Sequence, residues 1–182
     1  MTLLTGRQIR LSPTGEDDLA QTRSWANDKG LAADILRVLP VSETDQRRWL
    51  ADINQDPAKQ VFTIKTVDDD THIGNCGLYH VDWIHRRAEF WILIGNREYH
   101  GRGIGTETTA LILKYAFQSL NLQRVYLHVA ENNAPAVALY SKTGFVKEGV
   151  LRNHYFINGQ YLDVLVMSIL AEDYVRSLKD GE

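Results

Sequence analysis

The spacing of apolar positions changes period several times along the chain, and each change marks an element. Alternation in RQIRLSPT (7–14) predicts a short strand. PTGEDDLAQTRSWAND (13–28) predicts a helix capped by Thr14 or a neighbour, with acids in the first turn, where the helix dipole favours them. LPVSETDQRRWLADI (39–53) is a second helix: Pro40 precedes it, Ser42 can cap it, and Trp49, Leu50 and Ile53 make an apolar stripe. Period two then takes over in QVFTIKTV (60–67), HIGNCGLYHVDW (72–83) and RRAEFWILIG (86–95), read as strands with turns at DDDT and WIHR. From about Ile104, and clearly from Thr106 to Leu120, helical spacing returns, with Ala110, Leu113, Phe117 and Leu120 on one face. QRVYLHVA (123–130) is a buried strand, and NAPAVALYSKTG (133–144) a capped helix ending in Gly144. FVKEGVLRNHYF (145–156) and QYLDVLVMSIL (160–170) are strands joined by the hairpin signal Asn158-Gly159. The order of these elements is a mixed α/β layout.

Composition narrows the classes. A chain of 182 residues, 44% hydrophobic and 24% charged, suits one soluble domain spanning 1–182, with no repeat or linker. Its net charge of -3 gives no general pull toward nucleic acid. Cys76 is alone and cannot form an internal disulfide, which fits a reducing cytoplasm. The N-terminal stretch lacks the apolar core of a signal peptide, and no run approaches the ~20 apolar residues that span a bilayer. The histidines His72, His80, His85 and His100 have no ligand spacing, so no metal is expected.

The chemistry concentrates in NREYHGRGIG (96–105), between a strand and a helix. Backbone N–H groups at a helix start have no intrahelical partner and carry the positive end of the dipole. Missing Cβ atoms at Gly101, Gly103 and Gly105 let a phosphate approach them closely. The pattern is neither G-x-G-x-x-G nor a P-loop with a closing Gly-Lys-Ser/Thr. A tight strand-to-helix turn would use the same glycines. Glu107, in the first helical turn, would repel a phosphate and is expected to point away from it.

HGRGIG resembles the acyl-CoA loop of the GNAT superfamily of N-acetyltransferases, Gln/Arg-x-x-Gly-x-Gly/Ala, with Gly103 and Gly105 on its glycines and His100 in place of Gln or Arg. ENNAPAVALYSKTGF resembles that family's segment N-x-x-A-x-x-L-Y-x-K-x-G-F at Asn133, Ala136, Leu139, Tyr140, Lys142, Gly144 and Phe145. The tail EGVLRNHYFINGQYLDVLVMSIL is similar to the closing strands of the branch containing spermidine and ribosomal-protein acetyltransferases. The resemblance runs from about Ile73 to Leu170, with these three motifs in the expected order. The resemblance implies the GNAT fold, a mixed, mostly antiparallel central sheet flanked by helices. It implies acetyl-CoA as co-substrate, a primary amine as acceptor, and a homodimer or larger homo-oligomer.

The resemblance also implies site residues. Leu93, Ile94, His100, Gly101, Arg102, Gly103, Ile104, Gly105, Thr106, Asn133 and Tyr140 would hold the cofactor. Tyr140 would protonate the leaving thiolate, and a phenol of pKa about 10 remains protonated at pH 7. Asn133 also suits the role of helix cap. Two residues compete as base. His128 stands where some relatives carry a glutamate, and strand alternation sets Tyr126, His128 and Ala130 on the face opposite Val125, Leu127 and Val129. Glu89 is its rival, or else a strand-start carboxylate paired with Arg86 or Arg87. A polyamine is one acceptor class, although LAADILRVLPVSETDQRRW lacks a run of acids and offers only Asp34, Glu43 and Asp82 nearby. Protein N-termini and amino sugars are the alternatives, read by the region Trp25 to Trp49; a non-catalytic CoA sensor or scaffold is the alternative of another class.

Overall fold

The computed structural model describes residues 4–179. An eight-stranded sheet runs through it in the order β1-β2-β3-β4-β5-β6-β8-β7. The strands are β1 (Leu4–Thr5), β2 (Ile9–Pro13), β3 (Gln60–Thr66), β4 (His72–Asp82), β5 (Arg87–Ile94), β6 (Arg124–Ala130), β7 (Val146–Ile157) and β8 (Gln160–Leu170). Neighbours pair antiparallel except β5 and β6, which run parallel. The sheet is mixed and mostly antiparallel, as the resemblance implied. Asn158 and Gly159, with φ of 52° and 81°, make the expected hairpin turn.

Helices cover both faces. On one lie α1 (Leu19–Ala26), α2 (Lys29–Asp34) and α3 (Glu43–Gln55); Leu19, Leu50 and Ile53 pack with Val61, and Trp25 and Leu31 with Leu93. On the other lie α4 (Ile104–Lys114) and α5 (Ala134–Lys142), whose Ile112, Leu113 and Tyr140 join Phe90, Val125, Leu127 and Phe145 in the main core. Ser42 caps α3 as expected, accepting from the Asp45 N–H at 3.1 Å.

Several boundaries differ from the sequence reading, each for a local reason. Thr14 does not cap α1: it is buried, with its hydroxyl hydrogen-bonded to that of Thr63 at 3.1 Å. The helix proper begins at Leu19 after a short turn at Glu16–Asp18, because the Asp18 carboxylate is drawn into the interior by the Gly15 N–H, Thr63 and Lys65. Helix α2 is too short to show a period, and Asp28 starts it by accepting from the Gly30 and Leu31 N–H groups. The buried face of α4 is Ile104, Thr108, Thr109, Ile112 and Leu113, with Ala116 beyond; Ala110 is exposed. After Lys114 the helix widens into a π turn over Tyr115–Ser119. A last helix, α6 (Ala171–Lys179), follows β8 and lays Tyr174 against Phe117, ring centres 5.1 Å apart.

Candidate active site

Strands β5 and β6 pair only at Arg87–Arg124, Ala88–Val125 and Glu89–Tyr126. Beyond Glu89, β5 continues to Ile94 held by β4 alone, while β6 continues to Ala130 held by β8. The two strands therefore part, and the edge of β5 from Phe90 to Ile94 keeps backbone donors and acceptors without a strand partner on that side. Alternation sends neighbouring side chains to opposite faces of this opening. Glu89, Trp91 and Leu93 face α1–α3, and Phe90 faces α4 and α5.

At the mouth of the opening the chain turns through the glycine loop into α4. Gly101 and Gly103 have φ of 74° and 81°, the left-handed region that glycine enters without strain, and a Cβ on either would meet no atom within 4 Å. Gly103 is the N-cap of α4, so the first-turn N–H groups face this open space. Gly105 has a different reason: a Cβ there would lie 2.4 Å from Leu139 Cδ1, so its absence lets α4 and α5 pack closely. Glu107 is turned toward the β1–β2 turn, where its carboxylate accepts from the backbone N–H groups of Arg7 and Gln8. The loop and helix start thus form a cradle that suits a phosphate, with the one acid of the first turn engaged elsewhere.

The remaining candidates around the cradle have mixed orientations. His100 donates from Nε2 to the Ile94 carbonyl at 2.7 Å, closing the loop back on β5. The Arg102 guanidinium rests over the Tyr99 ring, 5.4 Å from its centre. Leu93 is buried against Trp25 and Leu31, which leaves its backbone toward the opening. Asn133 caps α5, its Oδ1 accepting from the Ala136 N–H at 3.2 Å, and its Nδ2 donates to Asp34 Oδ1 at 3.4 Å.

Tyr140, on α5, is 7% exposed and touches Phe90 edge-on at 6.2 Å and Phe145 at 5.8 Å. Burial, reinforced by the Asp34 charge, pushes its phenol well above the ordinary tyrosine range, so it stays protonated at neutral pH.

On the opposite face the two rival bases are in direct contact. His128 Nδ1 lies 2.7 Å from Glu89 Oε1, and His80 Nδ1 lies 2.8 Å from Glu89 Oε2. Burial alone would raise the Glu89 carboxyl, but hydrogen bonds from His128 and His80 outweigh it and hold the group below its ordinary value. The alternative pairing with Arg86 or Arg87 is not seen: Arg86 binds Asn121, and Arg87 reaches Asp82 at 3.5 Å.

Glu89 also ends a cleft of about 520 Å³ between the sheet and α1–α3. Its walls include Trp49, Tyr79, Trp91, Asn75 and Asp45, with Arg37 from the segment after α2. Trp49 Nε1 donates to the Tyr79 hydroxyl at 2.9 Å, and the Tyr79 and Trp91 rings stack at 5.5 Å. The sequence reading missed this aromatic wall and His80. Counting back from the WIHR turn would put His80 opposite Glu89; a bulge between Tyr79 and Asp82 sets Tyr79 there instead, and regular alternation does not announce it. Among the described residues no group of three or more His, Cys, Asp or Glu side chains is arranged to hold a metal ion.

A parted strand pair, a cradle that suits an anion at its mouth and ionisable groups on both faces fit one class, the acyl-CoA-dependent transferases. The chain belongs to the GNAT family: it matches the family described as Acetyltransferase (GNAT) domain over residues 8–146. It is 42% identical over 121 residues to spermidine N(1)-acetyltransferase of Vibrio cholerae, covering 66% of this chain and 69% of that one. With the Escherichia coli K12 protein of that name it shares 31% identity over 179 residues, 96% of this chain and 92% of the other. The crystal structure of the Vibrio cholerae enzyme in complex with CoA and spermine superposes with a TM-score of 0.88 at 33% identity, covering 92% of this chain and 98% of that one. The protein is an acetyl-CoA-dependent N-acetyltransferase.

Proposed function

We propose that the protein acetylates a primary aliphatic amine of the polyamine class, which enters the aromatic cleft and reacts in the opening between β5 and β6. One observation carries this reading: the opening has the His128–Glu89 pair on its cleft side and Tyr140 on its other side. The names of the spermidine acetyltransferase relatives support the acceptor class. Aromatic faces attract alkylammonium groups, and Trp49, Tyr79 and Trp91 line the way to a carboxylate.

Bound acetyl-CoA supplies the activated acetyl group. Gly101 to Thr106 and Asn133 are assigned to hold it, with the free edge of β5 at Leu93 and Ile94 beside its thioester arm. An alkyl ammonium of pKa about 10.4 is neutral only about four times in ten thousand at pH 7, a penalty of roughly 4.6 kcal/mol. His128, donating its Nδ1–H to Glu89, keeps the Nε2 lone pair free and takes the amine proton there. Tyr140 gives its hydroxyl proton to the departing sulfur from the other face.

A second reading has its own support. Arg37 lines the same cleft and makes no ion pair among the described residues, which favours an acceptor with an anionic end, such as an amino-sugar nucleotide, or one whose peptide carbonyls can accept from it, such as a protein N-terminal segment. The test is acetyl-CoA turnover, read by thiol release, with spermidine, an amino-sugar nucleotide and a ribosomal-protein N-terminal peptide. Preference for spermidine supports the polyamine reading; turnover confined to either of the others replaces it.

No helix among the described residues is long and apolar enough to cross a membrane. We place the protein in the cytoplasm, in keeping with its buried free Cys76, and read residues 1–182 as one domain because a single sheet carries the apolar clusters on both of its faces.

A further inference from the structure

We propose that His80 is a positioning residue, which fixes Glu89 and through it the tautomer and orientation of His128; the inference rests on the reading of His128 as the base. A carboxylate held through one oxygen can still rotate about its last bond. Glu89 is held through both, by His128 at 2.7 Å and His80 at 2.8 Å. Its plane is therefore set, and with it the direction along which His128 Nδ1–H must point.

The backbone is shaped to deliver this ring. Tyr79 pairs with Glu89 and Asp82 with Arg87, so His80 and Val81 on β4 stand against Ala88 alone on β5. Such a bulge re-aims side chains. His80 has φ of 52°, a left-handed conformation costly for a histidine, and its ring lies against Glu89 while Val81 is buried. The surrounding charged groups have other partners. Arg87 and His85 reach Asp82, and Arg124 binds Glu148. From β6 the Tyr126 ring meets His128 edge-on at 5.9 Å, and from β7 His154 stacks on it at 6.5 Å, which confines the plane of the imidazole.

In the step so positioned, an ammonium N–H bond of the acceptor breaks as an N–H bond to His128 Nε2 forms. The electron pair stays on the amine nitrogen, His128 becomes imidazolium beside the Glu89 carboxylate, and the proton later leaves to water. His80 exchanges no proton in this step.

The experiment compares His80→Gly, His80→Asn and His128→Gln in the full chain. Glycine removes the ring and also relieves the left-handed backbone, so a merely structural role predicts unchanged turnover and equal or better thermal stability. Positioning predicts a kcat about tenfold lower, an unchanged acetyl-CoA Kd, and a shift of the His128 ¹⁵N resonances from one Nδ1–H tautomer to a mixture. His80→Asn, which keeps a side-chain N–H donor and tolerates φ above zero, should recover most of the rate. Wild-type kcat and an unchanged His128 tautomer in His80→Gly overturn the proposal. Full turnover in His128→Gln removes the base reading and this one with it, whereas a crippled His128→Gln beside a normal His80→Gly removes only the role of His80.

Discussion

The Asn133 amide donates to the Asp34 carboxylate across 3.4 Å, tying the end of α2 to the start of α5. That contact sets an anion beside residues assigned to an anionic cofactor, and Asp34 also acts electrostatically on Tyr140. Burial raises the Asp34 carboxyl above its ordinary value, although His100 and Arg97 pull it down. Asp34→Asn keeps a polar partner for Asn133 and removes the charge. CoA affinity should rise about fivefold, close to 1 kcal/mol. In the wild type, affinity should also improve as pH falls and Asp34 takes up its proton, and in Asp34→Asn that dependence should flatten. Calorimetric titration at neutral pH and at successively lower pH checks both; equal affinities and slopes would dismiss the competition.

The glycines of the loop should separate under mutation. Gly103→Val forces a β-branched residue into φ of 81° and puts methyl groups into the cradle, so CoA affinity should fall at least about tenfold, or 1.4 kcal/mol, in a folded protein. Gly105→Ala instead presses on the end of the half-buried Leu139 side chain while gaining helix propensity, so stability should change by less than about 1 kcal/mol and CoA affinity should fall less than in Gly103→Val. Thermal melts beside CoA titrations read the difference.

What the sequence made legible follows the range of the interactions. The strands, the Ser42 cap, the Asn158-Gly159 turn and the glycine loop depend on residues close in the chain, and all could be read there. Thr14 and Asp18 could not, because their partners, Thr63 and Lys65, are distant in sequence; for Glu107 its direction away from the cradle was legible, and its partners at Arg7 and Gln8 were not. His128 and Glu89 were named as rivals because only the β5–β6 register shows that they touch. His80 offered less still: its direction is decided by a bulge, and a bulge leaves little trace in an alternation.

Acid should weaken a tie among the last strands. Arg124 of β6 binds Glu148 of β7, and Ser168 of β8 donates to the same carboxylate at 2.7 Å. The hydrogen bond from Arg124 leads in lowering the Glu148 carboxyl from about 4.5 to about 2. A lowered carboxyl stabilises the fold above its unfolded value, and this is lost as pH falls through the folded one. Since the Glu148 side chain is 40% exposed, screening limits the contribution to under about 1 kcal/mol. Glu148→Gln should therefore melt slightly lower than wild type at pH 7, with the gap closing near pH 2; a gap constant with pH would assign the effect to packing.

Strand β7 is an outer edge of the sheet, with Val146, Val150 and Phe156 exposed, and Tyr161 is exposed on the adjoining β8. An apolar edge of this kind is stabilised by pairing, and the expected occupant is a second copy of the chain. Light scattering at micromolar concentration should give a dimer or larger assembly, and Val150→Lys should lower the mass. A monomer in the unaltered protein would remove this expectation.

Tyr140 and His128 should fail in different ways, because the proposed mechanism gives them different proton transfers at opposite faces of the opening. Tyr140→Phe retains the ring packed on Phe90 and Phe145 and deletes only the hydroxyl, so acetyl-CoA should bind as before. Turnover should drop by about 10²–10⁴, the range for loss of a general acid. His128→Gln leaves acid catalysis intact, and its deficit should be greatest near pH 7 and shrink as pH rises, since more of the amine is then already neutral. The Tyr140→Phe deficit should not shrink in that way, because the leaving thiolate still lacks its donor. Rate profiles from pH 6.5 to 9.5 with one verified amine distinguish the two. Wild-type turnover in Tyr140→Phe would take the acid role from Tyr140, and a pH-independent deficit in His128→Gln would move the base to Glu89 or to solvent.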